Sequence, residues 1–143
     1  MQPQFDTWHT TQAAFIALLE PIPPDQTNLG GVCGAWGVKQ IVAHLAGWQR
    51  EAYTHAQHQS PPHRKTYDAD DFNAKSVAAL SLLNWAETLA TFRYTSEDFT
   101  ALLTGLDDTT LQTYPLYGQW LDALAADIRL HHDQIETWLA HNP

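Results

Sequence analysis

The chain has 143 residues, of which 44% are apolar, and a domain of this size can bury a stable core without disulfide or metal staples. Six Trp, five Tyr and five Phe argue for a packed core or an apolar pocket and against disorder. A formal net charge of −9 gives no electrostatic footprint for a phosphate backbone or an anionic bilayer, so nucleic acid and membrane are not expected partners.

The first residues, MQPQFDTWHT, lack the basic region and apolar run of a secretory signal, and no stretch approaches the roughly 20 apolar residues of a membrane span, so a cytoplasmic protein is expected. Residues 5–20 place Phe5, Trp8, Phe15, Leu18 and Leu19 at helical intervals, with Asp6 as the candidate N-cap and Pro21, Pro23 and Pro24 as the stop. A glycine-rich turn follows, with Gly30, Gly31, Gly34 and Gly37, and it carries Cys33. A lone cysteine excludes an internal disulfide and fits a reducing compartment; packing is its expected role, with a thiol activated at the next helix start as the alternative.

The second run, 38–57, carries a stripe of Ile41, His44, Leu45, Trp48 and Ala52. Residues 59–68 read as an exposed loop rich in proline and basic residues. The third run extends from Ala69 to about Leu106 as two helices, broken near 81–84, because Asn84 and Glu87 have capping-box spacing; Ser81 is the competing cap and Gly105 the stop. A Tyr/Pro/Gly connection at 113–118 leads to the last run, 119–141, with its stripe of Leu121, Leu124, Ile128, His131, Ile135 and Trp138. No strand alternation is sustained and no linker or repeat divides the chain. The expectation is one all-α domain over 1–143, an up-and-down four-helix bundle of antiparallel helices.

His44 and His131 lie inside apolar stripes, where an unsatisfied polar group costs about 1–3 kcal/mol. Asp127 stands four residues before His131, one helical turn away, so both can address one point. Two imidazoles and one carboxylate suit a divalent metal, Zn²⁺ with Ni²⁺ and Fe²⁺ also compatible, and three protein ligands leave room for water or substrate. The plainer alternative is a helix hydrogen bond between Asp127 and His131, with His44 an ordinary core histidine. His132 points about 100° away from His131 and is expected outside the metal's reach, as a proton-transfer group or a solvated side chain. His9, His55, His58, His63 and His141 read as surface residues, and Asp70, Asp71 and Asn73 as helix-capping rather than ion-binding residues. Trp48, Tyr114, Tyr117 and Trp120 are candidates for lining a pocket.

The Gly34 to Trp48 pattern, Gly-x-Trp-x-Val-Lys-x-x-x-x-His-x-x-x-Trp, the DDFNA at 70–74 and the terminal His-x-x-x-Ile-x-x-Trp-Leu of His131 to Leu139 resemble the DinB-like four-helix superfamily. Within it they are most similar to the branch of ClbS/DfsB-like and maleylpyruvate-isomerase-like proteins. The resemblance implies a bundle whose metal is held by one histidine of the second helix and a His-x-x-x-His pair of the last. His44 and His131 match two of those positions; Asp127 stands in place of the middle histidine, a departure that implies altered metal preference or no metal. It further implies an enzyme that acts on a small electrophile, by transfer of a low-molecular-weight thiol or by detoxifying hydrolysis. The competing function is a non-catalytic module that binds a ligand or serves a stress response, with a structural metal or none. A homodimer is expected in either case.

Overall fold

The computed structural model describes residues 1–58 and 61–142, and these form six α-helices with no strand ladder among them. The helices are α1 (Gln2–Leu19), α2 (Val38–His58), α3 (Ala69–Ala79), α4 (Trp85–Thr104), α5 (Asp108–Thr113) and α6 (Leu116–His141), and a 3-10 turn, Pro24–Asn28, links α1 to α2. No helix of the described residues is long and apolar enough to cross a membrane. The expected loop at 59–68 is described from residue 61 onward, and residues 59 and 60 lie outside the described chain.

Four helices are long and carry the core. Their ends follow local chemistry, with one correction. α1 starts at Gln2, because Pro3 is tolerated in a first turn that needs no donor; Asp6 is inside the helix, accepting from Gln2 Nε2 at 2.8 Å, and is not its cap. α4 starts at the expected capping box, with Asn84 Oδ1 accepting from Glu87 N at 2.8 Å and Glu87 Oε1 accepting from Asn84 N at 3.1 Å. Ser81 instead donates its hydroxyl to Ala78 O at the end of α3. Replacing Asn84 with alanine is expected to cost about 1 kcal/mol, read as a lower urea midpoint with an unchanged slope. α5 lies between the expected third run and the 113–118 connection and overlaps the first residue of the latter; six residues are too short to show a periodic stripe, and Asp107 holds its start by accepting from Thr110 N at 2.7 Å.

The helix directions differ from the alternation expected of an up-and-down bundle. Trp8 meets Phe99 and Phe15 meets Phe92, so α1 and α4 are antiparallel. His44 lies beside Asp127 and His131 while His55 lies beside Trp120, so α2 and α6 are antiparallel as well. Along α2 and α4, however, contacts advance in step: Gly47 shares a cleft with Thr91, Gln49 accepts from Thr95, and Thr54 shares the next cleft with Asp98. The two helices are parallel. The cause is α3, which runs back along α2, placing Phe72 against Trp48 and Ser76 against Gly47, and so returns the chain to the end where α2 began.

The centre is aromatic. Trp8, Phe15, Phe92 and Phe99 are fully buried, the rings meet edge to face, and the Trp8 indole N–H is satisfied by Thr100 Oγ1 at 2.8 Å. Ile41 and Leu124 are in the core as their stripes require, whereas Trp48 and Trp138 are half-buried. Trp48 takes its place on the α2/α6 seam, beside the polar group described next.

Candidate metal centre

α2 and α6 carry one face each to a shared seam. His44 projects from the stripe of α2, and Asp127 and His131 project one turn apart from α6. The imidazoles are 5% and 4% exposed, and the Asp127 side chain is one-third open at 33%. His44 Nε2 lies 3.1 Å from Asp127 Oδ2, and His131 Nε2 lies 3.4 Å from Asp127 Oδ1. One donor atom from each residue falls within 4.8 Å of the others, a group that could hold a metal ion.

The surrounding bonds decide which nitrogens are free. Trp48 Nε1–H can only donate, and it donates to Asn73 Oδ1 at 2.7 Å, which fixes the orientation of the Asn73 amide. The same oxygen lies 2.9 Å from His44 Nδ1, so that nitrogen must carry a proton and donate it. In a neutral His44 the Nε2 lone pair then faces the Asp127 carboxylate. His131 is placed alike, with Nδ1 2.7 Å from Gln134 Oε1 and Nε2 toward Asp127, and with that amide oxygen accepting, its Nδ1 carries the proton and its Nε2 lone pair faces Asp127. Two nitrogen lone pairs and a carboxylate repel unless positive charge lies among them. Two protons or one divalent cation meet that need, and a ligating histidine characteristically donates its other N–H to such an acceptor.

The Asp127 carboxylate offers a separate oxygen to each imidazole, Oδ2 at 3.1 Å to His44 Nε2 and Oδ1 at 3.4 Å to His131 Nε2, a donor set of the kind a divalent cation takes. When the imidazoles carry a proton on Nε2, burial still disfavours the Asp127 charge, but the hydrogen bonds they donate and their charge outweigh it and hold the carboxyl well below the usual carboxylate range. The group is thus an ionised acceptor with an open side.

Two neighbours of this centre carry roles that sequence reading did not give them. Asn73 is an interior residue of α3; the cap of that helix is Asp68, accepting from Asp71 N at 3.1 Å, and Asp71 pairs with Lys75. Asn73 reaches His44 because α3 lies close on α2: a Cβ added at Gly47 would stand 2.2 Å from Ser76 Oγ and 2.5 Å from Ser76 Cβ. Trp36, at the entrance to α2, packs its ring on the His44 imidazole with centroids 5.1 Å apart.

Among the expected pocket residues, Trp48 and Trp120 border a cavity of about 380 Å³ along the α2/α6 seam. Tyr117 is instead a core residue, 3% exposed, with its ring 5.7 Å from that of Trp120; Tyr114 is half-buried against the core. His132 bonds to Asp133 at 3.1 Å, in a second group with Glu136 on the exposed side of α6. His55, expected at the surface, is buried, covered by Trp120 from α6 and by His63. Cys33 lies in the turn before α2, where its backbone pairs with that of Trp36.

A helical fold with a His–Asp–His group on the seam between its second and last helices brings together side chains that could hold a metal ion in a bundle core. The family model described as the DinB superfamily matches residues 7–138, and the chain belongs to that superfamily. No curated protein and no solved structure matches it.

Proposed function

We propose that this protein is a metal-dependent enzyme acting on a small electrophile, by transfer of a low-molecular-weight thiol or by hydrolysis of the ClbS/DfsB type. His44, Asp127 and His131 are the ligands, and Zn²⁺ is the preferred ion, with Ni²⁺ and Fe²⁺ as the alternatives a two-imidazole, one-carboxylate set accepts. The observation that carries the proposal is the pair of Nε2 atoms turned to one carboxylate, each with its Nδ1 beside a side-chain oxygen. When bound, the metal supplies Lewis acidity that makes a thiol or water nucleophilic at neutral pH.

The protein's own groups do the rest. Asn73 and Trp48 hold the His44 ring in one orientation and one tautomer. The buried imidazoles exclude water from one side, and the partly open Asp127 leaves the other side for a reactant. The adjoining cavity has the size range of small-molecule sites.

Turnover tests this directly. Untagged protein is stripped with a chelator, reloaded with Zn²⁺, Ni²⁺ or Fe²⁺, and assayed with a panel of low-molecular-weight thiols plus 1-chloro-2,4-dinitrobenzene, and with 4-nitrophenyl acetate for hydrolysis. One reloaded form is expected to exceed the stripped protein by at least 100-fold, with Asp127→Ala falling to the stripped rate. Equal rates from stripped and reloaded protein contradict a metal-dependent enzyme. A fully loaded protein without turnover is a binding or stress-response module instead.

A further inference from the structure

The cavity beside the metal centre carries a guanidinium at its mouth. Trp48 and Leu124 form its inner end, one turn from His44 and Asp127; His55, Trp120, Arg64 and Gln119 form its outer end. Arg64 Nη2 donates to Gln119 Oε1 at 2.5 Å, and among the described residues no carboxylate lies within ion-pair distance of it. Glu51, the acidic residue of the cavity, is already engaged, accepting from Tyr67 O–H at 2.7 Å and from Lys65 Nζ at 3.4 Å. In a chain of net charge −9 with seven Lys and Arg, a guanidinium anchored by a neutral amide at a cavity mouth is a free anion receptor. A second observation points the same way. His55 is 8% exposed and borders this cavity, yet its Nε2 has no hydrogen-bond partner. Native proteins leave few such atoms unpaired, and a ligand is one of the ways they are satisfied.

We infer that this cavity binds a carboxylate-bearing small molecule with a flat apolar body, its carboxylate held by Arg64 and its body between the Trp48 and Trp120 rings. Carboxylate is the fitting anion because its two oxygens match the guanidinium fork and its single charge is balanced by one guanidinium, where a phosphate monoester carries nearly two, and His55 supplies a further polar contact inside the cavity. Gln119 lies eight residues before Asp127, roughly 12 Å along the helix axis, so a ligand anchored at the mouth extends its far end toward the metal centre. That this ligand is a substrate rests on the function proposed above; the binding itself does not.

The test uses the full chain, stripped of metal, so that a carboxylate cannot bind through an ion. Calorimetry compares 4-phenylbutyrate with its neutral analogue 4-phenylbutan-1-ol. The carboxylate is expected to bind at least tenfold tighter, Arg64→Gln to abolish that preference, and His55→Phe, which keeps an aromatic ring but removes the nitrogen, to weaken the carboxylate several-fold. Arg64 is exposed, and an unchanged far-UV circular dichroism spectrum and urea midpoint of Arg64→Gln serve as the check that the fold is intact. Equal binding of acid and alcohol, an unchanged preference in Arg64→Gln, or no binding of 4-phenylbutyrate overturns the inference. Since every reading is taken without metal, failed metal uptake leaves this result standing, and failed carboxylate binding leaves the metal centre standing.

Discussion

Phe92→Ala is expected to lower the unfolding free energy by about 3–5 kcal/mol, the range for truncating a fully buried aromatic ring. Phe92 is 0% exposed and its ring meets Phe15 edge to face, with centroids 5.4 Å apart. Its loss removes apolar burial and that ring contact, and leaves a cavity between α1 and α4 that the Phe15 ring alone cannot fill. Against the roughly 5–15 kcal/mol that stabilises a typical domain, this is enough to shift the thermal midpoint by many degrees. Urea unfolding followed by far-UV circular dichroism reads it. Phe92→Leu, which retains most of the volume, should cost well under half as much. Equal loss from both would mean that the ring contact, and not the filled volume, carries the stability.

Asn73→Ala is expected to weaken metal binding by about 10- to 100-fold without removing a ligand. The substitution deletes the acceptor shared by His44 Nδ1–H and Trp48 Nε1–H, so the imidazole loses both its fixed tautomer and its fixed plane. The buried His44 donor left unpaired also costs stability, about 1–3 kcal/mol, and the half-buried Trp48 donor less. Asn73→Asp keeps an oxygen at the same place and should retain uptake, which separates loss of the bond from general damage to α3. Competition against a chromophoric chelator measures both variants. Wild-type affinity in Asn73→Ala would mean that the His44 orientation does not depend on α3.

The sequence made the two ends of this arrangement legible and left its middle hidden. A 3.6-residue period places His44 and His131 in apolar stripes, and a four-residue step places Asp127 beside His131, because both relations are internal to one helix. Asn73 could not be found this way. Its bond to His44 spans 29 residues and exists because Gly47 lets α3 approach α2, a packing relation with no local period. The parallel course of α2 and α4 was hidden for the same reason, since an 11-residue α3 read as half of a broken helix rather than as a return segment. His55 looked solvated because polar neighbours surround it in sequence, whereas Trp120, 65 residues away, covers it in space.

The most direct measurement is anomalous diffraction from crystals of untagged protein soaked in Zn²⁺, with data collected on both sides of the zinc edge. A single strong peak is expected between His44 Nε2, His131 Nε2 and the Asp127 carboxylate, absent from Asp127→Ala crystals treated in the same way. A structure of the soaked protein with the three side chains placed as described and no peak among them, or with its peak elsewhere, contradicts a metal centre on the α2/α6 seam.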